Sequence, residues 1–104
     1  MEIIIRHYNF STLYVKASGR LDLDTSVEYG TKVKDAIEDS ESVITELWLD
    51  FSEITFISSF GLKIILELYK HMQSQNGTLK LQHVSEQLKN SFKLVGFDKF
   101  LIFE

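Results

Sequence analysis

The chain has 104 residues and a formal net charge of −4, with 44% hydrophobic and 25% charged residues, a balance that predicts one globular domain over residues 1–104. It contains no cysteine, which excludes disulfides and cysteine-ligated zinc and favours a reducing cytoplasm. The acidic balance argues against nucleic-acid binding, and no apolar run is long enough to insert across a membrane. The N-terminal residues 1–6 lack the basic and apolar regions of a signal peptide.

The first two elements are predicted to be strands. Residues 2–8 and 12–18 are rich in β-formers, and in the second run apolar residues alternate with polar ones. A period of two predicts one buried and one exposed face, so we expect an antiparallel hairpin with its turn at 9–11. The segment 19–22 should end the second strand.

A helix is predicted next. Thr25 and Glu28 have the spacing of a capping box, so the helix should begin there and run to about Glu38. The residues that recur at helical spacing and should form its buried face are Tyr29, Val33, Ala36 and Ile37. The polar segment 39–42 follows as a loop.

The centre of the chain combines a strand, a short acidic loop and a helix. Residues 43–50 are the strand region, and 47–49 are apolar without interruption, as expected for a strand covered on both faces. After a loop that starts at Asp50, a helix should begin around Ser59 and close at 76–77 in a left-handed cap conformation. The apolar residues of this helix cover a wide arc, which predicts deep burial: Leu62, Ile64, Ile65, Leu66, Leu68, Tyr69 and Met72.

The last third supplies one more strand and one more helix. Residues 79–84 are predicted to form a core strand, Ser85 can cap a helix that Gly96 ends, and 100–103 should be a last short strand or a docked tail. The order β-β-α-β-α-β-α-(β) indicates an α/β fold with a mixed, mostly parallel sheet of four or five strands and three main helices. In open sheets of this kind, functional groups gather beyond the carboxyl ends of the parallel strands.

Two serines follow such a strand. A serine at a helix start can cap backbone N–H groups, which is the plain structural interpretation of Ser59. Ser58 would then be a loop serine or an alternative cap. Phe60 would either pack against its neighbours or contact a partner. Gly61 would permit close packing of the helix start on the sheet.

Four carboxylates near the strand ends are better explained as caps and loop charges than as a metal site. They are Asp22, Asp24, Asp50 and Glu53. No histidine or second carboxylate accompanies them at ligand spacing, the three histidines are dispersed, and no phosphate-binding glycine motif is present. We therefore expect no metal, no cofactor and no enzymatic activity. An enzyme or a small-ligand carrier would instead need an enclosed polar cavity at the strand ends.

Residues 47–62 contain an apolar strand that ends in Asp50, an apolar turn, and the element Ser58-Ser59-Phe60-Gly61-Leu62. This segment resembles the signature of the STAS domain family of bacterial anti-sigma-factor antagonists, in which Asp-Ser-Ser/Thr-Gly-Leu opens a helix. Gly19–Asp22 is similar to the family's Gly-x-Leu-Asp before the first helix, and 94–97 matches near the end. Together, in order and spacing, these pieces are more specific than any one of them.

The resemblance implies a non-enzymatic protein that binds an anti-sigma factor with serine-kinase activity and so releases a sigma factor. It implies that the kinase phosphorylates Ser59, or else Ser58, and thereby ends the binding. The chain departs from the family element where Ser58 stands in place of Asp and Phe60 in place of a second hydroxyl. The implied partner-binding residues are Asp22, Asp24, Asp50, Glu53, Ser58, Ser59, Phe60, Gly61 and Leu62. Small STAS domains also resemble accessory subunits of lipid-transport ATPases, and binding such a transporter is the alternative function.

Overall fold

The computed structural model describes residues 1–104 and contains one five-stranded sheet and three main helices. The elements in chain order are β1 (Glu2–His7), β2 (Thr12–Leu21), α1 (Leu23–Glu38), β3 (Glu46–Ile57), α2 (Ser59–Ser74), β4 (Thr78–Gln82), α3 (Glu86–Leu94), a short 3-10 helix (Phe97–Lys99) and β5 (Ile102–Phe103). The strands lie in the order β1-β2-β3-β4-β5. β1 pairs antiparallel with β2, and every other pair is parallel. The predicted α/β class, element order and mixed sheet are confirmed.

The hydrophobic core lies between the helices and one face of the sheet. Leu13, Leu47 and Leu79 lie side by side in register on β2, β3 and β4, and all three are buried. The last helix packs on the same face, because the ring of Phe92 lies 6.3 Å from that of Phe51 on β3. Period-two alternation then places the intervening side chains on the opposite face.

That opposite face carries no helix and is largely polar. Trp48 lies there, half-buried, with its ring 4.7 Å from that of Tyr8 and its Nε1 donating to Glu46 Oε1 at 3.1 Å. Lys80 on the neighbouring strand pairs with the same glutamate at 3.2 Å. The prediction that 47–49 is covered on both faces is wrong, because all three helices pack on one side of the sheet.

The start of α1 differs from the prediction. The helix begins at Leu23, with Asp22 as its N-cap. The Asp22 carboxylate accepts from the Thr25 N–H at 3.3 Å, and the Thr25 hydroxyl accepts from the Asp22 N–H at 2.9 Å. The capping box therefore joins Asp22 and Thr25 rather than Thr25 and Glu28. The aspartate takes this role because β2 continues to Leu21 and leads directly into the helix.

The third strand starts later and ends later than predicted. β3 begins at Glu46, after a loop in which Val43 is exposed. It continues to Ile57 through the segment that was expected to be an acidic loop. Beyond Asp50, β4 no longer accompanies it, and β3 pairs with β2 alone. Register shifts in that pairing keep the last residues of the two strands, Leu21 and Ile57, opposite one another.

The remaining helix and strand ends follow their local signals. Ser85 caps α3, and Asn76 and Gly96 take the left-handed conformation after α2 and α3, as predicted. β4 ends at Gln82, two residues earlier than predicted, because His83 adopts a φ of 56° that a strand cannot continue. The final segment forms the short strand β5, which pairs with β4.

Gly61 determines how closely α2 approaches the end of the sheet. The Ser58 N–H donates to the Leu21 carbonyl at 2.9 Å, which joins the helix start to β2. A Cβ on Gly61 would lie 2.6 Å from Ile57 Cγ1 and 2.9 Å from the Leu21 carbonyl oxygen. Because one of these neighbours is backbone, a larger residue at this position would force the helix away from the strands.

We predict that Gly61→Ala lowers the free energy of unfolding by about 1–3 kcal/mol, because the added methyl group overpacks this junction. Urea denaturation at neutral pH provides the measurement. Ser59→Ala, at an exposed position two residues away, is the control and should change stability by less than about 0.5 kcal/mol. A Gly61→Ala variant as stable as the wild type would mean that the helix start can shift at no cost.

Candidate functional site

Ser58 and Ser59 have different roles at the start of α2. Ser58 is the N-cap: its backbone is extended, and its Oγ accepts from the Gly61 N–H at 3.4 Å. Ser59 is the first helical residue and its side chain is exposed. The interpretation of Ser59 as the cap is therefore wrong, and Ser58 caps the helix instead. As a result the Ser59 hydroxyl faces solvent at a helix N-terminus and is not needed to hold that helix.

Two carboxylates lie at the same end of the molecule. α1 and α2 each follow a parallel strand, so their N-termini both lie at the carboxyl edge of the sheet. The Thr25 hydroxyl and N–H, by hydrogen bonding to the Asp22 carboxylate, hold its pKa below the usual value. Asp24 is exposed in the first turn of α1. The edge of the sheet at which α2 begins therefore also carries the carboxylates of Asp22 and Asp24.

Asp50 and Glu53 do not join this group. They lie within β3 rather than in a loop, and Ser58 follows Asp50 by eight residues of extended chain, roughly 25 Å. The Glu53 carboxylate pairs with Lys16 Nζ at 2.9 Å, a pair that is partly exposed. The structure therefore brings Asp22 and Asp24 to the helix starts and leaves the other two carboxylates along the strand.

Tyr14 and Asp50 form a polar pair on the helix-free face of the sheet. The Tyr14 hydroxyl donates to Asp50 Oδ2 at 2.5 Å, and the Ser52 N–H donates to Oδ1 at 2.9 Å. Burial alone would raise the pKa of the Asp50 carboxyl, but these hydrogen bonds outweigh burial and hold the pKa below its usual value. Burial, followed by the bond to Asp50, raises the pKa of Tyr14. The pair is a structural feature of the sheet.

An apolar surface adjoins Ser59. Phe60 is 48% exposed, and Leu23 and Val27 on α1 are 53% and 58% exposed. All three line one cavity of about 280 Å³ between the two helices, together with Ile64. Phe60 thus faces a shared surface instead of being tucked into the core, whereas Gly61 and Leu62 are buried.

Sequence reasoning missed Leu23 and Val27. Their signal was present: they are four residues apart, on a different stripe of α1 from the buried Tyr29, Val33 and Ile37. Apolar residues at helical spacing that do not fit the core stripe indicate a second apolar face.

No group of three or more histidine, cysteine, aspartate or glutamate side chains lies close enough together to hold a metal ion. None of the helices combines the length and the apolar character needed to cross a bilayer. The chemistry that the helix starts offer is therefore that of an exposed hydroxyl, acidic side chains and apolar contact surface.

The family model of the STAS domain matches residues 4–104. The chain belongs to the STAS domain family. Among solved structures, an anti-sigma factor antagonist from Mycobacterium paratuberculosis matches with a TM-score of 0.83 and 22% identity, over 98% of this STAS chain and 83% of the other.

Two further STAS structures widen the comparison. The Bacillus cell fate determinant SpoIIAA in its phosphorylated form matches with a TM-score of 0.76 and 17% identity, over 99% of this chain and 91% of that one. A sulfate transporter family protein from Wolinella succinogenes matches with a TM-score of 0.75 and 17% identity, over 88% of this chain and 75% of that one. At these identities the structural matches show a shared fold.

Replacing each of the two serines by alanine should affect stability differently. Ser58→Ala should lower the free energy of unfolding by about 1 kcal/mol, because it removes the N-cap acceptor of α2. Ser59→Ala should leave it within about 0.5 kcal/mol of wild type. Thermal and urea unfolding of both variants check this. The assignment fails if Ser59→Ala is the more destabilised of the two.

The Tyr14–Asp50 pair predicts a pH dependence. Tyr14→Phe should lower the free energy of unfolding by about 1–3 kcal/mol near pH 7, because it removes a hydrogen bond to a buried carboxylate. Since the folded pKa of Asp50 is depressed, its stabilisation is present above the usual aspartate pKa of about 4 and is lost as pH falls through the folded pKa. Without Tyr14 the pKa of Asp50 rises, so acid unfolding should begin at a higher pH.

The measurement for this pair is the free energy of unfolding between pH 3 and pH 7. Tyr69→Phe is the matched control, because the Tyr69 hydroxyl takes part in one exposed hydrogen bond, from Gln73. That variant should unfold in acid at the same pH as the wild type. If Tyr14→Phe unfolds in acid at the same pH as the wild type, the hydrogen bond from Tyr14 does not lower the pKa of Asp50.

Proposed function

We propose that this STAS chain is an anti-sigma-factor antagonist. It binds an anti-sigma factor that is also a serine kinase, releases the sigma factor held by it, and is switched off when that kinase phosphorylates Ser59. The observation that carries the proposal is the exposed Ser59 hydroxyl at the first position of α2, free of the capping role that Ser58 fills. The structural likeness to an anti-sigma factor antagonist and to a phosphorylated SpoIIAA supports it.

Ser59 is favoured over Ser58 as the phosphoacceptor. The Ser58 oxygen already accepts the Gly61 N–H and is partly buried, so a phosphate there would disturb the cap. A phosphate on Ser59 adds about −1.5 to −2 charge at an exposed helix N-terminus. The helix macrodipole stabilises negative charge at that position. The fold should therefore survive modification that abolishes binding.

The binding surface is centred on Ser58, Ser59 and Phe60, with Asp22 and Asp24 beside them. A partner that packs on this surface has to remove water from it, and a doubly charged phosphate is costly to desolvate. Gly61 and Leu62 contribute from beneath, by holding the helix start in place. Asp50 and Glu53 would contribute only at the margin, along β3.

The first test is phosphorylation. The STAS chain is incubated with ATP and each purified serine-kinase anti-sigma factor of the same genome, and the sites are identified by mass spectrometry. We expect one phosphate, on Ser59, and none in Ser59→Ala. Ser52→Ala, which removes another exposed serine, serves as the control and should be modified like the wild type. No phosphate with any of the kinases, or a phosphate elsewhere than Ser59 and Ser58, would contradict the switch.

The second test separates binding from folding. Ser59→Asp should weaken binding to the same anti-sigma factor by tenfold or more, because a fixed charge occupies the contact surface, while the thermal midpoint stays within about 2 °C of wild type. Calorimetric titration and a thermal melt give the two numbers. A large loss of stability with unchanged affinity would instead assign Ser59 a structural role.

A second candidate function is binding to a transporter, as an accessory subunit of a lipid-transport ATPase. The STAS fold of the sulfate transporter family protein supports it, since that structure aligns with 88% of this chain. Titration against the purified ATPase subunit of such a transporter distinguishes the two functions. Binding there, without binding to a kinase, would replace the first proposal.

A further inference from the structure

A groove runs between α1 and α2. It consists of two adjoining cavities, of about 280 and 300 Å³, which share Val27, Ile64 and Glu67 in their walls. It extends from Phe60 at the start of α2 to His71 in its last turn, a length of about 16 Å along the helix. We call this feature the α1–α2 groove. Phe60, which lines its upper end, directly follows Ser59 in the chain.

The upper half of the α1–α2 groove is apolar and is not part of the core. Leu23, Val27 and Phe60 remain about half exposed there, although the core stripe of α1 is already complete without them. Lower down, the two helices pack closely at Gly30, where an added Cβ would meet Ile64 Cγ2 at 3.0 Å.

Polar groups along the α1–α2 groove lack partners. Ser26 lines the upper cavity and His71 the lower one. Their Oγ and Nε2 atoms are two of the three buried side-chain polar atoms in the chain that have no hydrogen-bond partner. Lys63, Lys34 and Glu67 line its rim, and none of the three takes part in the ion pairs of the chain. Two free lysines against one glutamate make the rim net cationic on a protein of net charge −4.

We propose that the α1–α2 groove receives an amphipathic helix of the anti-sigma partner, whose apolar residues pack on Val27 and Phe60 and whose carboxylate pairs with Lys63. This inference rests on the proposed function and names the surface of that same interaction. A groove between two parallel helices fits a third helix, read through apolar anchors three and four residues apart. Its length corresponds to about three turns. The apolar residues of the groove favour an apolar partner segment, and its unpaired lysines favour acidic residues along one side of that segment.

The same geometry gives the switch a local mechanism. Ser59 and Lys63 are four residues apart on α2 and lie on one face of the helix, and an anion placed N-terminal to a cation at this spacing is the favourable orientation. A phosphate on Ser59 would pair with Lys63 and take that charge from the partner's carboxylate. Phosphorylation would thus remove an attractive contact as well as add a repulsive charge.

A matched pair of valines tests the docking site. Val27 in the groove and Val43 in the loop before β3 are exposed to similar extents, 58% and 67%. We expect Val27→Gln to weaken binding to the purified serine-kinase anti-sigma factor about tenfold, the loss expected for one apolar anchor, and Val43→Gln to leave it unchanged. Equal affinity of Val27→Gln and wild type would overturn the groove while leaving the proposed function standing. Wild-type protein that binds none of the kinases would overturn both.

A double-mutant cycle tests the part played by Lys63. Lys63→Gln should weaken binding several-fold and reduce its salt dependence, whereas Lys93→Gln on α3 should do neither. If a negative charge at position 59 acts through Lys63, the effects of Ser59→Asp and Lys63→Gln will be less than additive. Full additivity, or a Lys63→Gln variant with wild-type affinity, would overturn the shared contact.

Discussion

The close approach of α2 to the ends of β2 and β3 is the constraint on which the rest of the site depends. The Ser58 N–H reaches the Leu21 carbonyl at 2.9 Å only because Gly61 has no side chain in the way. This hydrogen bond joins the residue before α2 to the last residue of β2. Since β2 leads through Asp22 into α1, and β3 leads through Ser58 into α2, the bond also fixes the two helix starts relative to each other. Two helix N-termini are thereby held side by side on paired strands, with their caps at one edge.

At that edge, the residues that cap the helices differ from the residues that are exposed for contact. The Asp22 and Ser58 side chains accept the N–H groups of Thr25 and Gly61, respectively. The side chains of Asp24, Ser59 and Phe60 take no part in capping these helices. A surface that can be altered without unfolding the protein needs such a division, because groups that hold the backbone cannot also change their charge freely. The presence of Ser58 where the family element has Asp is compatible with this arrangement, since serine caps a helix about as well as aspartate does.

The fold was largely predictable from the sequence, and the residues explain both the success and the failures. Period-two alternation in β2 and the Ser85 cap of α3 are local signals, and the structure confirms them. Local signals failed where a distant partner decided the outcome. Residues 51–57 look like an acidic loop, yet β2 extends alongside them and makes them strand. Trp48 belongs to an apolar run, yet its ring rests on Tyr8 on the uncovered face.

The place of the two serines in the fold was predictable, but their local roles were not. The order of strands and helices placed the two serines at the carboxyl edge of the sheet, and the family element marked them. Which serine caps the helix depends on where β3 ends, and that is set by pairing with β2. The distance of Asp50 from the helix starts has the same cause. Leu23 and Val27 could not be recognised as surface residues from the sequence, because whether an apolar helical residue is buried depends on where the neighbouring helix packs.

The helix-free face of the sheet has a consequence for how the molecule can be observed. The only tryptophan of the chain, Trp48, lies on that face, in tilted contact with the ring of Tyr8 and hydrogen-bonded to Glu46. The whole thickness of the sheet separates this indole from α1 and α2. Its emission therefore reports whether the sheet is intact and is insensitive to events at the helix starts. The chain carries an intrinsic fluorophore that distinguishes a protein that has unfolded from one that has only lost its partner.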